Sequence, residues 1–185
     1  GRDAYPGLCA RVRVQARLHD LRDFLRFALS RSEAQRRPKD FCGLSNGLTE
    51  NREAREHLYA AQLHYGGPAL TSAGLWTRLH ISRIAHHGGD EYCVRCGVAV
   101  ETTEHRLWHC TCNHDERAWL DQQVPGNQFP VGLRPCLARC GLIPADLPAG
   151  LTVHNAICVS QYLLRVNAIA TLAVAAHRAG KPVLL

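Results

Sequence analysis

Cys93-Val94-Arg95-Cys96-Gly97, then Glu101-Thr102-Thr103-Glu104-His105, then Cys110: the reading of this chain turns on that stretch. Two residues separate the first two cysteines, eight more precede the histidine, and four more precede the last cysteine. Three sulfurs and one imidazole at this spacing form a zinc set, because structural zinc sites are closed tetrahedral groups of four Cys or His ligands. A Cys-x-x-Cys pair on a tight turn can aim both sulfurs at one ion. Gly97 suits that turn, since glycine takes positive φ at little cost. The expected ligands are Cys93, Cys96, His105 and Cys110. His109, Cys112 and His114 stand close enough in sequence to replace one of them, and Cys112 is the main rival for the last place.

The step from His105 to Cys110 is the awkward one. Five residues turn an α-helix by about 500°, which leaves the two side chains about 140° apart. The helix carrying His105, capped by Thr102 or Thr103, must therefore end near Trp108 or deform its last turn so that Cys110 swings back.

Upstream, Leu75, Trp76, Leu79 and Ile84 predict a helix capped by Ser72 and stopped by Gly88-Gly89, with Arg78 and Arg83 as exposed candidates. His86-His87 beside Asp90-Glu91 reads as a polar helix end rather than a second metal or catalytic group. Before that, Ala54, Leu58, Ala61 and Tyr65 form the buried stripe of a helix. Thr49 is its expected cap, Glu50 and Glu53 lie in its first turn, and Gly66-Gly67-Pro68 is its stop. Further back, Val14, Leu18, Leu21, Leu25 and Ala28 step by four and three, a helix with one apolar stripe. Its Arg22 and Arg26 lie off that stripe, on a face that is either solvated or in contact with phosphate.

Downstream, residues 120–150 are punctuated by proline and glycine. Cys136 and Cys140 would share a helix face, and with no two further ligands nearby they read as buried thiols. Residues 152–179 predict the longest helix. Arg165 near its centre argues against a membrane span, since a central arginine costs roughly 2.5–3.5 kcal/mol on insertion. The expected fold is mainly α: a small helical assembly around a CCHC zinc finger, with a long C-terminal helix. The expected segments are a helical, Arg-rich region 1–70, a lead-in helix with the finger at 71–125, and a Pro-rich connection with the last helix at 126–185.

Nine cysteines among 185 residues, with metal spacing and no signal peptide, fit a reducing compartment. The expected location is intracellular, nuclear or cytoplasmic. The chain has no methionine and begins Gly1-Arg2, as expected of a piece of something longer. Its formal charge of +6 comes from arginine far more than lysine, and arginine is the better phosphate fork. Zinc with three thiolates would bring the sum to about +5, enough to favour polyanions.

The stretch resembles the zinc-binding domain found C-terminal to the reverse transcriptase of non-LTR retrotransposons. The likeness rests on Cys93-x-x-Cys96-Gly97, Glu101-Thr102-x-Glu104-His105, Cys110, and Arg117 with Trp119 just after. It extends upstream to Ala73-Gly74-Leu75-Trp76-Thr77-Arg78-Leu79, similar to the helix that leads into that finger. It covers about 50 of the 185 residues, and neither 1–70 nor 126–185 carries a matching motif. The resemblance implies a parent polypeptide that copies element RNA into DNA at a nicked target. In it, the finger helps grip template RNA or target DNA, with Cys93, Cys96, His105 and Cys110 on zinc. The polymerase does not carry over, because its paired aspartates after an aromatic residue are missing. A module without catalysis of its own is expected. Its partners would be RNA or DNA and the rest of the parent polyprotein, with no membrane.

The expected nucleic-acid contacts are Arg13, Arg17, Arg22 and Arg26 from the basic N-terminal helix, with Arg95, Arg106 and a stacking Trp108 from the finger. Trp108 reads more readily as core than as a stacking platform. The finger itself is not basic, since Arg95, Arg106 and Arg117 are opposed by Glu101, Glu104, Asp115 and Glu116. That balance supports a second hypothesis, an interaction protein in which zinc staples a helical fold and 152–179 docks on a protein partner. A zinc hydrolase or nuclease is the third, disfavoured because catalytic zinc keeps a position open.

Overall fold

The 26 residues of the last helix, Val153–Arg178, are apolar on nearly every side. A helix with that pattern is stable in water when other elements cover it. By length and composition it could cross a membrane, yet 67% of its most apolar window is buried inside the protein. The computed structural model describes residues 44, 47–61, 63, 67–71, 75, 77–85, 90–126 and 129–180. The expected N-terminal helix, with Arg13, Arg17, Arg22 and Arg26, lies outside them, as do Ser72, Trp76 and His86-His87.

The described elements, in order, are α1 (Arg52–Ala61), α2 (Gly67–Thr71), α3 (Arg78–Ala85), a π-helical turn (His105–His109), a 3₁₀ turn (Thr111–Asn113), α4 (His114–Gln123), α5 (Pro135–Cys140) and α6 (Val153–Arg178). Among the described residues β-pairing is confined to two isolated bridges, Leu48 with Pro144 and Tyr92 with Val100. The protein is mainly helical, as its periodicity predicts.

α1, α2, α4, α5 and the π-turn all pack on α6. Ala54, Leu70, Leu107, Trp108, Leu120, Leu137, Tyr162 and Leu163 belong to one core. Residues from all three expected segments therefore share it, and neither 70/71 nor 125/126 separates one core from another. Burying each such Leu fully stabilises the fold by about 1.5–3 kcal/mol. Arg165, the expected obstacle to a membrane span, stays exposed and lays its guanidinium 4.1 Å from the centroid of the Trp119 ring on α4.

Two helix starts differ from the sequence reading. α1 is capped by Asn51, whose Oδ1 accepts from Ala54 N at 3.1 Å, while Thr49 is buried and accepts from Asn51 N. α3 begins at Arg78 and not near Ser72, because Thr77 Oγ1 accepts from His80 N and a carboxylate from the finger takes the Arg78 N–H. α5 starts on Pro135 and ends on Gly141 at φ 65°. Gly141 N donates to Leu137 O and Leu142 N to Cys136 O, the paired bonds that satisfy a helix end. Cys136 and Cys140 on α5 are fully buried beside Leu58 and Leu142, as expected of core thiols.

Candidate metal centre

The finger begins with a turn. Gly97 N donates to Cys93 O at 2.8 Å, and Gly97 has φ 67°, the left-handed conformation its residue type was expected to supply. The Tyr92–Val100 bridge closes the loop behind it, with Cys93 N donating to Ala99 O at 2.8 Å. That loop carries Cys93 and Cys96.

His105 and Cys110 come from the other side. Thr102 Oγ1 accepts from His105 N at 2.9 Å, so Thr102 is the cap of this turn. The turn is then π-helical over His105–His109, and Cys110 N donates to His105 O at 2.7 Å. An i→i+5 bond widens the turn by one residue. Cys110 thus returns to the face of His105, which a regular α-helix would deny it. This is the deformed last turn that the five-residue spacing demanded.

One donor atom from each of Cys93, Cys96, His105 and Cys110 lies within 4.8 Å of the others. Cys93 Sγ is 3.9 Å from Cys110 Sγ, and Cys96 Sγ is 3.3 Å from His105 Nε2. Bonds of about 2.3 Å to sulfur and 2.0–2.1 Å to nitrogen give tetrahedral edges of about 3.8 and 3.5 Å. A disulfide would need sulfurs about 2.05 Å apart. The four side chains are therefore close enough to bind a metal ion. Among the described residues, the competing donors are elsewhere. Cys112 is outside the group, His109 faces Glu104 at 3.9 Å, and His114 faces Asp115 at 2.9 Å.

The electrostatics of the group favour a cation. Burial pushes the Cys110 thiol up to about 12, and the neighbouring Cys93 and Cys96 add to the shift against a lowering hydrogen bond from the Cys112 backbone. Burial also raises Cys93. Cys96 differs: burial raises it, but amides of Val98 and Ala99, with the adjacent thiols, outweigh that and leave it below its ordinary value. His105 is lowered, chiefly by burial, which keeps its ring neutral and able to donate a lone pair. Crowded sulfurs resist ionisation unless a positive ion stands between them.

Around the donors lies a buried polar frame. Glu101, 1% exposed, accepts from Arg106 Nε at 3.0 Å and from Arg78 N at 2.8 Å. It thus caps α3 and holds the π-turn at once. Asn113, 0% exposed, donates to Arg106 O at 2.9 Å and accepts from the Arg95 guanidinium, which also bonds Cys112 O. Trp108 Nε1 donates to Ala138 O at 2.8 Å, and its ring lies 5.0 Å from that of Tyr162. Tyr162 in turn donates to Leu107 O at 2.7 Å.

Arg95 and Arg106 are the expected outward contacts for nucleic acid, and Trp108 is expected as core more readily than as a stacking platform. They are 8%, 4% and 4% exposed, and their polar atoms are spent inside the protein. The physical reason is satisfaction: buried Glu101, Asn113 and the Ala138 carbonyl each need a donor, and these three side chains supply it. Sequence reasoning missed the bridging roles of Glu101 and Asn113. Glu101 could have been suspected from its place in the motif. Asn113, a lone amide between Cys112 and His114, carries no signal at all. No protein-family model, curated protein or solved structure matches the chain.

Proposed function

We propose that the chain is a zinc-stabilised nucleic-acid-binding module, derived from the C-terminal part of a retrotransposon reverse-transcriptase polyprotein or its relic, without catalysis of its own. The observation that carries this reading is the convergence of Cys93, Cys96, His105 and Cys110. These are the residues that the motif resemblance marks as ligands. Three sulfurs and a neutral imidazole at near-tetrahedral separations suit Zn²⁺, which has no geometric demand of its own and favours such donors. Zinc bound there would hold the sulfurs as thiolates and make the loop and the π-turn one rigid piece.

A second observation supports the resemblance. Its upstream half ends at Arg78-Leu79, and its downstream half contains Glu101; the Glu101 carboxylate joins them through the Arg78 N–H. Arg78 and Glu101 thus tie one end of the upstream half to the downstream half. RNA or target DNA is the proposed ligand, the rest of a polyprotein the proposed partner, and the nucleus or cytoplasm the proposed location.

Metal analysis of protein purified without added metal is expected to return one zinc per chain. Binding to single-stranded RNA and duplex DNA should weaken with salt, with a log–log slope of about −0.7 to −0.9 per phosphate neutralised. No binding at low salt removes the nucleic-acid part. The internal use of Arg95, Arg106 and Trp108 favours a second reading, an interaction protein that zinc only staples. A metal-loaded chain that ignores both nucleic acids and self-associates or captures a defined protein partner would support it.

A further inference from the structure

α3 and the turn that leads into His105 do not close on each other. Between them lies a cleft of about 420 Å³, lined by Thr77, Leu79, His80, Arg83, Thr102 and Thr103. Its size falls within the range of about 300–1,000 Å³ typical of small-molecule sites.

The lining is mixed: Leu79 and the threonine methyls are apolar, and the polar groups are the threonine hydroxyls, His80 and Arg83. Thr77 Oγ1 accepts from His80 N at 3.3 Å, and Thr102 Oγ1 accepts from His105 N at 2.9 Å. Accepting leaves each hydroxyl hydrogen available to donate. Arg83 is exposed and makes no ion pair or hydrogen bond with the described residues, unlike Arg78, which bonds Asp90 O at 2.8 Å. Of the nearby carboxylates, Glu101 is paired with Arg106 in the interior, Glu91 accepts from Ser82 Oγ at 2.9 Å, and Glu104 is exposed and faces His109 at 3.9 Å. An exposed guanidinium and threonine hydroxyls lining one concave wall suit oxyanion recognition, where arginine forks onto two oxygens.

We propose that this cleft binds a phosphate of a nucleic-acid backbone, with Arg83 as its charged contact. The inference rests on the nucleic-acid-binding reading above and names the surface responsible for it. It moves the finger's contact from Arg95 and Arg106, which are internal, to the junction between the finger and α3.

The test uses the full chain, metal-loaded, with a short fluorescent single-stranded RNA, the matching DNA and a duplex. Affinity is measured against salt for the wild type, Arg83→Ala, Arg83→Lys, and Arg52→Ala as an exposed control on α1. Circular dichroism verifies that each variant is folded. Arg83→Ala is expected to flatten the salt slope by about 0.7–0.9, one phosphate's worth, and to weaken low-salt binding by about tenfold. Arg83→Lys keeps the charge and should keep the slope, and Arg52→Ala should match the wild type. Adding RNA should shift the amide resonances of His80, Thr102 and Thr103. A wild type that binds while Arg83→Ala keeps the same slope overturns the cleft and leaves the parent reading intact. A wild type that binds none of the three probes overturns both. Unmoved amides at all three positions during saturating RNA binding also overturn the cleft.

Discussion

The finger and the α6 bundle are held together by opposite means. Around α6 the stabilising term is apolar: Val159, Tyr162, Leu163 and Val166 are fully buried where helices from earlier in the chain pack on α6. Between residues 93 and 113, besides Leu107 and Trp108, which join the α6 core, the buried residues are Cys93, Cys110, Arg95, Glu101, Arg106 and Asn113. A polar interior contributes little unless every member is satisfied, and a half-satisfied one is worse than none. The bundle therefore tolerates the loss of one contact in proportion to its area. The finger behaves as a set whose members fail together.

Removing the proposed metal should break the comparison most visibly. Structural zinc contributes roughly 10–16 kcal/mol of apparent binding free energy in small fingers. A strong chelator, or Cys96→Ser, is expected to strip hydrogen-exchange protection from residues 93–110 while the amides of 157–166 in α6 stay protected. Loss of protection in both at once would mean that the finger and bundle form one cooperative unit.

Glu101→Gln comes next. It removes the Glu101 charge that faces the buried Arg106 guanidinium, and breaking a buried pair in this way costs about 3–5 kcal/mol. The loss should appear as weaker metal retention and a frayed start to α3, because the same carboxylate serves both. Leu163→Ala in the bundle is expected to cost about 2–5 kcal/mol, read as a lower global midpoint in denaturant with the metal still bound. If Leu163→Ala releases metal as readily as Glu101→Gln, the division between the two regions is wrong.

The smallest effect tests the seam between them. Tyr162 O–H donates to Leu107 O, a carbonyl in the π-turn. Burial, opposed by the hydrogen bond and charge of Arg117, pushes the Tyr162 phenol up to about 12. Its folded value is above the ordinary value of 10.0, so its contribution is fully present below pH 10 and is lost as pH rises toward 12. Melting curves across that window should show a decline that Tyr162→Phe abolishes. At neutral pH the same variant should cost about 1–3 kcal/mol, since the Leu107 carbonyl loses its donor.

How much of this was legible beforehand varies by residue. The convergence of Cys93, Cys96, His105 and Cys110 was written in the spacing, and even the distortion was foreseeable, because about 500° of α-helix cannot bring His105 and Cys110 together. The buried stripe Ala54, Leu58, Ala61 and the apolar length of α6 were equally plain, as periodicity is a local property. Helix starts were less so. Thr49 and Asn51 are both good caps, and the choice depended on Thr49 being buried.

What the chain by itself determined is the chemistry that must converge: three thiols, an imidazole, and enough helical apolar surface to enclose them. What only the tertiary structure decided is which way the charged and aromatic side chains of the finger face. Arg95, Arg106 and Trp108 turned inward because partners distant in the fold or hidden in the loop needed their donors, while Arg83, on a face with no such need, was left outside. Spacing specifies a metal set because its members lie within one short loop. The orientation of a long polar side chain depends on which acceptor the rest of the molecule leaves unsatisfied.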